Sequence, residues 1–326
     1  MPGLELSVAM CTFNGKRFLG AQLDSILAQQ RPPDELVVCD DGSTDGSIEI
    51  VREFAERAPF PIRLLVNAKT LGSTKNFEQA ITLCQGAIVA LADQDDVWYR
   101  HKLEWIEKAF LKSSDIVAAF SDADLIDNDS HPLGSRLWPT LLFDAGEQNQ
   151  FSNGNALDVL IKHPVVTGAT MAFRREFFEP MIPIPKDEIH DKWISFLLAA
   201  RGGSFEVISE PQMQYRQYPE QQIGPGPQTL GRRMIQARDR GADFHHGVIA
   251  QLRQLHTRLE DRRTDFRFAE AAQIEIQRKI SHLEHRAGLP RARVARIPGV
   301  LREAFKGGYH RYSSGWNSVA KDLVLR

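Results

Sequence analysis

The chain has 326 residues, of which 42% are hydrophobic and 25% are charged, and this balance excludes a mainly disordered protein. Its length exceeds that of one ordinary domain, so we expect one large α/β domain with an appendage. No apolar run reaches the roughly 18 to 20 residues that cross a bilayer, and the first residues lack a signal-peptide pattern, which together predict a cytoplasmic protein.

The net charge of -2 is unevenly distributed along the chain. Residues 227–326 contain 20 Lys and Arg against 10 Asp and Glu, whereas residues 1–226 contain 20 against 32. We therefore predict an acidic first domain over residues 1–226 and a basic, mainly helical region over residues 227–326. The two parts are expected to face different partners.

In the first part, short β-rich apolar runs alternate with segments of helical period. The predicted strands are 6–12, 36–39, 62–67, 88–92 and 116–121, and the predicted helices are 17–29, 47–57, 74–84 and 99–112. These βα repeats indicate a doubly wound parallel sheet. Such sheets bind ligands beyond the carboxyl ends of their strands.

After residue 121 the alternation stops. Residues 122–164 show no clear period and are predicted to be irregular surface structure, a candidate lid over the site. A strand is predicted at 170–173 and a helix at 192–200. A Gly/Pro break at 224–227 precedes Arg-rich helical stretches from about 230 to 287, and a last segment covers 297–326.

Carboxylates follow the predicted strands. Capping explains Asp45, and Asp96 could cap the helix that starts near Trp98. Three carboxylates within four residues, Asp93, Asp95 and Asp96, repel one another, and a divalent cation offsets this cost most simply. Mg²⁺ or Mn²⁺ is therefore expected. Because neither a Gly-x-Gly-x-x-Gly nor a Walker lysine motif is present, such an ion would have to neutralise any bound diphosphate, as in nucleotide-sugar enzymes.

Several motifs together resemble the inverting glycosyltransferases of family 2, which have the GT-A fold. The resemblance covers roughly residues 4–224. Its motifs are residues 7–15 (SVAMCTFNG), 37–45 (VVCDDGSTD), 92–98 (ADQDDVW), 168–170 (GAT), 190–193 (HDKW) and 215–217 (YRQ). The DQDDVW and HD forms look most like bacterial rhamnosyltransferases of surface-polysaccharide assembly.

The resemblance implies a GT-A catalytic domain over residues 1–226, with a nucleotide-sugar half at about 1–121 and an acceptor half at about 122–226. A helical appendage over residues 227–326 would follow. The implied reaction moves a sugar from a pyrimidine nucleotide donor, of the dTDP-rhamnose or UDP-hexose type, to a saccharide acceptor. This acceptor is expected to be lipid-linked, as in bacterial cell-surface polysaccharide biosynthesis.

Carried over residue by residue, the resemblance implies that Thr12, Phe13 and Asp41 hold the nucleotide base, with Asp41 accepting from a pyrimidine ring N–H. Asn14 and Asn76 would also line the nucleotide pocket. An ordinary polar position in the first turn of a helix explains Asn76 equally well.

The same resemblance assigns two further residues to the metal and the diphosphate. Asp93 would lie by the ribose and diphosphate, and Asp95 would coordinate the metal directly, together with Asp93. Arg216 could clamp the leaving diphosphate as a loop closes. The Gln-x-x-Arg-Trp motif of processive members is absent, which favours single additions.

The resemblance also implies that Asp191 is the catalytic base, because the family's base is an aspartate about one hundred residues after the metal motif, at the start of a helix. An acceptor hydroxyl is a poor nucleophile until such a base takes its proton. Family members often have Glu-Asp at this point, whereas this chain has His190. The alternative for Asp191 is an N-cap of a helix starting at Lys192.

The basic C-terminal region is open to three interpretations. It could be a solvated helical pair packed on the catalytic domain. Nucleic-acid binding is disfavoured, because the arginines lack an aromatic stacking pattern. An anionic membrane surface suits it better, because basic residues interleave with four aromatics, namely Phe305, Tyr309, Tyr312 and Trp316.

Two rival functions remain open at this stage. The first is a carboxylate-metal phosphohydrolase that acts on a nucleotide diphosphate with the same aspartates. The second is a non-catalytic nucleotide- or membrane-binding module, which becomes credible only if Asp191 faces away from the strand ends.

Overall fold

The structure is a computed structural model that describes residues 3–218, 242–290 and 292–324. The described residues form eleven strands: β1 (Leu6–Thr12), β2 (Glu35–Asp40), β3 (Ile62–Val66), β4 (Ile88–Ala92), β5 (Val97–Trp98), β6 (Ile116–Ser121), β7 (Asp124–Ile126), β8 (Pro132–Arg136), β9 (Met171–Arg174), β10 (Ser204–Ile208) and β11 (Met213–Arg216).

The same residues form thirteen α-helices: α1 (Lys16–Leu27), α2 (Ser47–Arg57), α3 (Ser73–Leu83), α4 (Lys102–Lys112), α5 (Leu137–Leu141), α6 (Ala145–Ser152), α7 (Ala156–Lys162), α8 (His190–Arg201), α9 (Ala242–Asp261), α10 (Ala269–Ala287), α11 (Arg293–Phe305), α12 (Gly308–Tyr312) and α13 (Trp316–Val324).

Seven strands form the central sheet, in the order β10-β6-β9-β4-β1-β2-β3. The strands β1 to β4 run parallel, as do β6 and β10. The strand predicted near residue 172 is β9, which lies antiparallel between β4 and β6. The prediction of a doubly wound, mainly parallel sheet is therefore confirmed. Four short strands form a second sheet, in the order β5-β11-β7-β8.

The interpretation of residues 122–164 as irregular surface structure is wrong. This stretch contains β7, β8 and the helices α5 to α7. It also enters the core, because the ring of Phe120 packs within 6 Å, centroid to centroid, of the rings of Trp138, Phe143 and Phe151. Elements of three to eight residues complete at most about two helical turns, so they show no readable period.

The C-terminal helices pack on the α/β domain. Leu255 of α9 and Ile276 of α10 are buried in the same hydrophobic cluster as Trp193 of α8. The Nζ atom of Lys279 donates a 2.6 Å hydrogen bond to the carbonyl of Ile161 at the end of α7. The predicted break at 224–227 and the predicted helix start near residue 230 lie outside the described residues.

The membrane prediction is wrong for two of its four aromatic residues. Tyr309 and Tyr312 are buried, and their hydroxyls donate hydrogen bonds to carboxylates inside the C-terminal region. Phe305 and Trp316 are exposed, as a membrane contact requires. Within the described residues, no helix is both long enough and apolar enough to span a bilayer.

Candidate active site

The carboxyl ends of β1, β2 and β4 lie side by side, because β1 pairs in parallel with both neighbours. Thr12 ends β1 opposite Asp40 of β2, and its hydroxyl donates a 2.7 Å hydrogen bond to the Asp40 carboxylate. Asp93 directly follows β4. The predicted convergence of acidic strand ends is therefore present in the fold.

Asp40 anchors the loop after β2. Its Oδ1 atom accepts from the backbone N–H groups of Gly42 at 3.1 Å and Ser43 at 2.7 Å. Its Oδ2 atom accepts from the hydroxyls of Thr12 at 2.7 Å and Ser43 at 2.6 Å. A carboxylate has about four acceptor sites, so these four bonds occupy Asp40 fully. Its role is to shape the loop that carries Asp41.

Asp41 ties the β2 end to the loop before α3. Its Oδ1 atom accepts from the N–H of Leu71 at 2.7 Å and from the Asn67 side chain at 3.0 Å, and Oδ2 accepts from the N–H of Gly72 at 2.9 Å. Three bonds leave capacity for one more donor on a carboxylate. Binding of a base N–H by Asp41 stays a prediction.

Asn76 also bonds within the protein. Its Nδ2 atom donates to the carbonyl of Cys39 at 2.7 Å, and its Oδ1 atom accepts from Asn67 at 2.9 Å. Asn67 thus links Asp41 with Asn76, and it was missed in the sequence. The available signal was its position directly after β3, at the same edge of the sheet as the acidic strand ends. Contact between Asn76 and a nucleotide stays a prediction.

The loop after β1 is held by two neighbouring loops. Phe13 and Gln94 exchange backbone and side-chain hydrogen bonds of 2.8 and 3.1 Å. Asn14 adopts a positive φ of 47°, donates its N–H to the Ser43 hydroxyl and accepts from the N–H of Thr44. Phe13 is 38% exposed as a residue, which leaves it accessible to a planar ligand.

The acidic motif consists of Asp93, Asp95 and Asp96, and its carboxylates have raised pKa values. Burial and the neighbouring Asp95 and Asp191 raise the pKa of Asp93 to about 7. Burial also raises the pKa of Asp95, although the Tyr218 hydroxyl, which donates to its Oδ2 atom at 2.7 Å, opposes this rise. Burial and both other motif carboxylates raise the pKa of Asp96 well above its usual value. Like-charge repulsion therefore contributes to the raised pKa values of Asp93 and Asp96, and Asp191 takes part in it at Asp93.

The interpretation of Asp96 as a helix cap is wrong. Helix α4 begins at Lys102 after His101, whose side chain makes no capping bond. The Oδ1 atom of Asp96 instead accepts from the backbone N–H of Arg216 at 3.0 Å. Its Oδ2 atom is buried without a hydrogen-bond partner among the described residues.

Arg216 lies against the acidic motif, with its guanidinium 4.5 Å from the ring centroid of Phe18. Its Nε atom donates to the Asp95 carbonyl at 2.8 Å, and its Nη1 atom donates to the Asp127 carbonyl at 2.8 Å and to the Ser130 hydroxyl at 3.0 Å. The side chain is buried and bridges two loops. A diphosphate contact stays a prediction, because it requires this arrangement to open.

Asp191 lies in the first turn of α8. The helix begins at His190 after Ile189, so the alternative of an N-cap before Lys192 is wrong. The Oδ2 atom of Asp191 accepts from the backbone N–H of Gly168 at 2.7 Å, and Oδ1 accepts from the N–H of Lys192 at 2.6 Å. Because β9 pairs antiparallel with β4, Gly168 ahead of β9 lies at the carboxyl end of β4, and its hydrogen bond holds the Asp191 carboxylate at that end.

His190 is buried beside the predicted base. Its ring stacks on Phe77 of α3 with centroids 4.0 Å apart, and burial lowers its pKa. A Cβ atom added at Gly168 would lie 2.9 Å from its Nε2 atom, so this close approach requires a glycine at position 168. Neither ring nitrogen has a hydrogen-bond partner among the described residues.

Lys102 is a site residue that sequence reasoning missed. Its Nζ atom donates to the carbonyl of Ala169 at 2.6 Å and lies 4.1 Å from the ring centroid of Trp98. Burial lowers its pKa to about 7, and the charges of Asp96 and Asp93 oppose this shift. The available signal was its helical spacing from the buried apolar positions of α4.

The donor set at the strand ends fits a hard divalent cation. Among the residues that the structure describes, no three His, Cys, Asp or Glu side chains are grouped as ligands for one ion. Mg²⁺ commonly takes only one or two carboxylates from a protein and completes its shell with water and substrate phosphates. Asp93 and Asp95 would supply that share. Burial raises the pKa of both, and at Asp93 repulsion from Asp95 and Asp191 adds to the rise, which a cation would relieve.

Solved structures share this fold. TarS 1-349 of S. aureus in complex with UDP-GlcNAc aligns with a TM-score of 0.59 at 13% identity, over 98% of this chain and 82% of that one. The mannosyltransferase PcManGT of Pyrobaculum calidifontis, in complex with GDP-Man and Mn²⁺, aligns with a TM-score of 0.52 at 18% identity, over 99% and 85%. At such identities the likeness shows the fold alone, which is GT-A.

Curated proteins are similar in sequence. An uncharacterised glycosyltransferase of Nostoc sp. is 33% identical over 56% of this chain and 54% of its own length. The UDP-Glc:alpha-D-GlcNAc-diphosphoundecaprenol beta-1,3-glucosyltransferase WfgD of Escherichia coli is 31% identical over 38% and 48%. The dTDP-rhamnosyl transferase RfbG of Shigella flexneri is 26% identical over 66% and 73%.

The chain thus spans about half the length of the first two of these relatives. A family model, glycosyl transferase family 2, matches residues 7–181, which is more than half of the chain. The match includes the acidic motif and the strand ends described above. The chain belongs to glycosyltransferase family 2.

Proposed function

We propose that the protein is a metal-dependent, inverting glycosyltransferase of bacterial cell-surface polysaccharide biosynthesis. Its donor is a pyrimidine nucleotide-diphosphate sugar, of the dTDP-rhamnose or UDP-hexose type, and its acceptor is a lipid-linked saccharide. The observation that carries the proposal is the hydrogen bond from Gly168, just ahead of β9, which holds Asp191 at the carboxyl end of β4, the end that Asp93 and Asp95 follow. Relatives named as a dTDP-rhamnosyl transferase and as a glucosyltransferase acting on a diphosphoundecaprenol-linked sugar support the choice of substrates.

Asp191 acts as the general base in this proposal. The Gly168 N–H holds its carboxylate, and Asp191 faces the motif that would bind the diphosphate. A positioned base removes the proton of the acceptor hydroxyl, which then attacks the anomeric carbon from the side opposite the leaving diphosphate. In-line attack inverts the configuration at that carbon.

Asp93 and Asp95 hold a Mg²⁺ or Mn²⁺ ion in this proposal. The ion neutralises charge on the leaving diphosphate when it is bound. The Mn²⁺ in a solved mannosyltransferase of the same fold supports this assignment. Tyr218 keeps Asp95 oriented through its 2.7 Å hydrogen bond, and Lys102 offsets part of the negative charge of the motif.

The nucleotide pocket is proposed to lie between the loop after β1 and the start of α3. Phe13 offers an exposed ring for stacking, and Asp41 retains acceptor capacity. Thr12, Asn14 and Asn76 shape this pocket through their bonds to the neighbouring loops. Arg216 would reach the diphosphate only after releasing its bonds to the 127–130 loop.

The proposed catalytic domain comprises residues 1–226, with the nucleotide-sugar half at 1–121 and the acceptor half at 122–226. The proposed location is the cytoplasm, peripherally at the inner face of the cell membrane. A lipid-linked acceptor would make that location necessary. The positive balance of residues 227–326 supports attraction to anionic lipid.

A nucleotide-sugar panel with and without acceptor tests the proposal. Thermal unfolding is measured with UDP-, dTDP- and GDP-sugars, with Mn²⁺ or with a chelator, because a bound ligand raises the free energy of unfolding. We expect metal-dependent stabilisation by a pyrimidine donor and turnover that requires an acceptor saccharide. Nucleotide hydrolysis at full rate without acceptor would favour the phosphohydrolase. Binding without turnover on any lipid-linked acceptor would favour the non-catalytic module.

A further inference from the structure

Helix α11 presents an apolar face to the surroundings. Four apolar side chains, at spacings of three, four and four residues, fall on one stripe of the helix. This stripe, called the α11 ridge below, consists of Val294, Ile297, Leu301 and Phe305, which are 80%, 42%, 46% and 90% exposed. A contiguous exposed apolar patch commonly marks an interaction surface.

The opposite face of α11 is buried and partly polar. It carries Arg296, Val300 and Glu303. Arg296 donates to the carbonyl of Asp322 at 2.9 Å, and Glu303 bonds His282 at 2.6 Å. This pattern is the reverse of a helix that packs its apolar face on its own domain. Packing within the described chain therefore does not account for the ridge.

The exposed charges of the segment that carries the ridge, residues 292–324, have one sign. Residues 292–324 contain six Lys and Arg but only two acidic residues, Glu303 and Asp322. Both acidic side chains are buried and bonded to His282 and Arg286 respectively. The exposed charged side chains of this segment are all basic: Arg293, Arg302, Lys306, Arg311 and Lys321. Arg311 is paired with Glu275 and Asp158 of other helices.

We infer that α11 lies in the surface of an anionic lipid bilayer, with its ridge inserted toward the acyl chains. Arg302 and Lys306 then meet the phosphate headgroups. An amphipathic helix with apolar insertion and flanking basic residues binds membranes in this way. A second copy of the chain suits the ridge less well, because pairing two ridges would bring two sets of like charges together. The inference rests on the proposed function for its purpose, which is to bring the enzyme to a lipid-linked acceptor.

The partition of the full-length protein between buffer and vesicles tests the inference. Vesicles contain phosphatidylcholine alone or phosphatidylcholine with phosphatidylglycerol, and binding is measured at low and high salt. We expect binding to the anionic vesicles that weakens with salt. The double variant Leu301→Glu with Phe305→Glu should lower binding at least about tenfold, because both apolar contacts are replaced by charges that anionic lipid repels.

A matched control carries the same two added charges elsewhere. Leu111→Glu with Leu142→Glu changes apolar side chains that are 57% and 60% exposed, and it should lower binding much less than the ridge variant. An equal loss of vesicle binding in the ridge variant and the control would overturn the assignment of the ridge, since the change in net charge alone would then explain the loss. No binding of the wild type to anionic vesicles would also overturn the inference. A wild-type dimer that the ridge variant converts to a monomer, without vesicle binding, would reassign the ridge to self-association.

Nucleotide binding is measured on the same samples to keep the two proposals apart. Thermal stabilisation by UDP or dTDP with Mn²⁺ should be equal in the wild type, the ridge variant and the control. Vesicle binding by a wild type that no nucleotide stabilises would contradict the proposed function and support the lipid contact. Nucleotide binding without vesicle binding would support the proposed function and contradict the lipid contact.

Discussion

The backbone N–H of Gly168 donates a 2.7 Å hydrogen bond to the Oδ2 atom of Asp191, which ties the predicted base to the turn ahead of β9. The carbonyl of Ala169 in the same turn accepts from Lys102 at 2.6 Å. Lys102 is in turn attracted to Asp93 and Asp96. The 168–170 turn therefore holds the base in a fixed relation to the acidic motif.

Substitution of Gly168 should displace the base. The methyl group of Gly168→Ala would lie 2.9 Å from His190 Nε2 and 3.4 Å from Asp191 Oδ2. We expect kcat to fall at least about tenfold with little change in donor affinity, because small misplacements of a reacting group are costly. Steady-state kinetics with isothermal titration of the donor measures both. Gly20→Ala in α1, where an added Cβ meets nothing within 4 Å, should keep wild-type kcat.

Asp191→Asn should separate catalysis from binding. The amide oxygen keeps an acceptor for the Gly168 N–H, but the side chain no longer takes a proton. We expect turnover to fall by roughly a hundredfold or more, with donor affinity within about twofold of wild type. Asp187→Asn, at an exposed position four residues earlier, is the matched control. Full activity in Asp191→Asn would remove Asp191 from the mechanism.

Asp95→Asn should abolish the metal dependence of nucleotide binding. An amide cannot supply the negative charge that a divalent ion shares with a diphosphate. We expect calorimetric titration with UDP or dTDP to give the same weak affinity with Mn²⁺ and with a chelator. The exposed Asp115→Asn should bind as the wild type does. A Mn²⁺ response of wild-type size in Asp95→Asn would contradict the metal assignment.

The buried Lys279 should make stability depend on pH. Burial and the charge of Lys192 lower its pKa from 10.5 to about 7 in the folded protein. Below pH 7 the Lys279 ammonium is charged in both the folded and the unfolded chain, so the cost of burying the charge lowers the free energy of unfolding in full. Between pH 7 and 10.5 the unfolded chain binds more protons, and the free energy of unfolding therefore rises with pH.

Urea unfolding at pH 7 and pH 9 measures this contribution. We expect the wild type to gain up to about 2 kcal/mol more than Lys279→Met between these values. The hydrogen bonds to the carbonyls of Ile161 and Lys162 favour the charged form and reduce the gain. The exposed Lys186→Met should follow the wild type. An equal pH response in Lys279→Met and wild type would contradict the lowered pKa.

The alternation of apolar runs and helical segments was sufficient to predict the central sheet. Because strands β1, β2 and β4 are buried runs with polar residues directly after them, their period and their ends are visible in the chain itself. The motif order then identified the family and proposed Asp41, Asp95 and Asp191. Asn67 and Lys102 were missed because their roles depend on long-range bonds to residues far away in the sequence.

Periodicity and local motifs encode the fold class, the family and the acidic edge of the sheet, so all three are readable from the chain alone. Which charged and aromatic side chains stay accessible depends on how the elements pack. Phe305 and Tyr309 are four residues apart and similar in type, yet one is 90% exposed and the other fully buried. The difference arises from the way in which α11 and α12 pack. Arg296 of α11 and Tyr309 of α12 both bond the buried Asp322, and these contacts between residues distant in sequence set which side of each helix is buried.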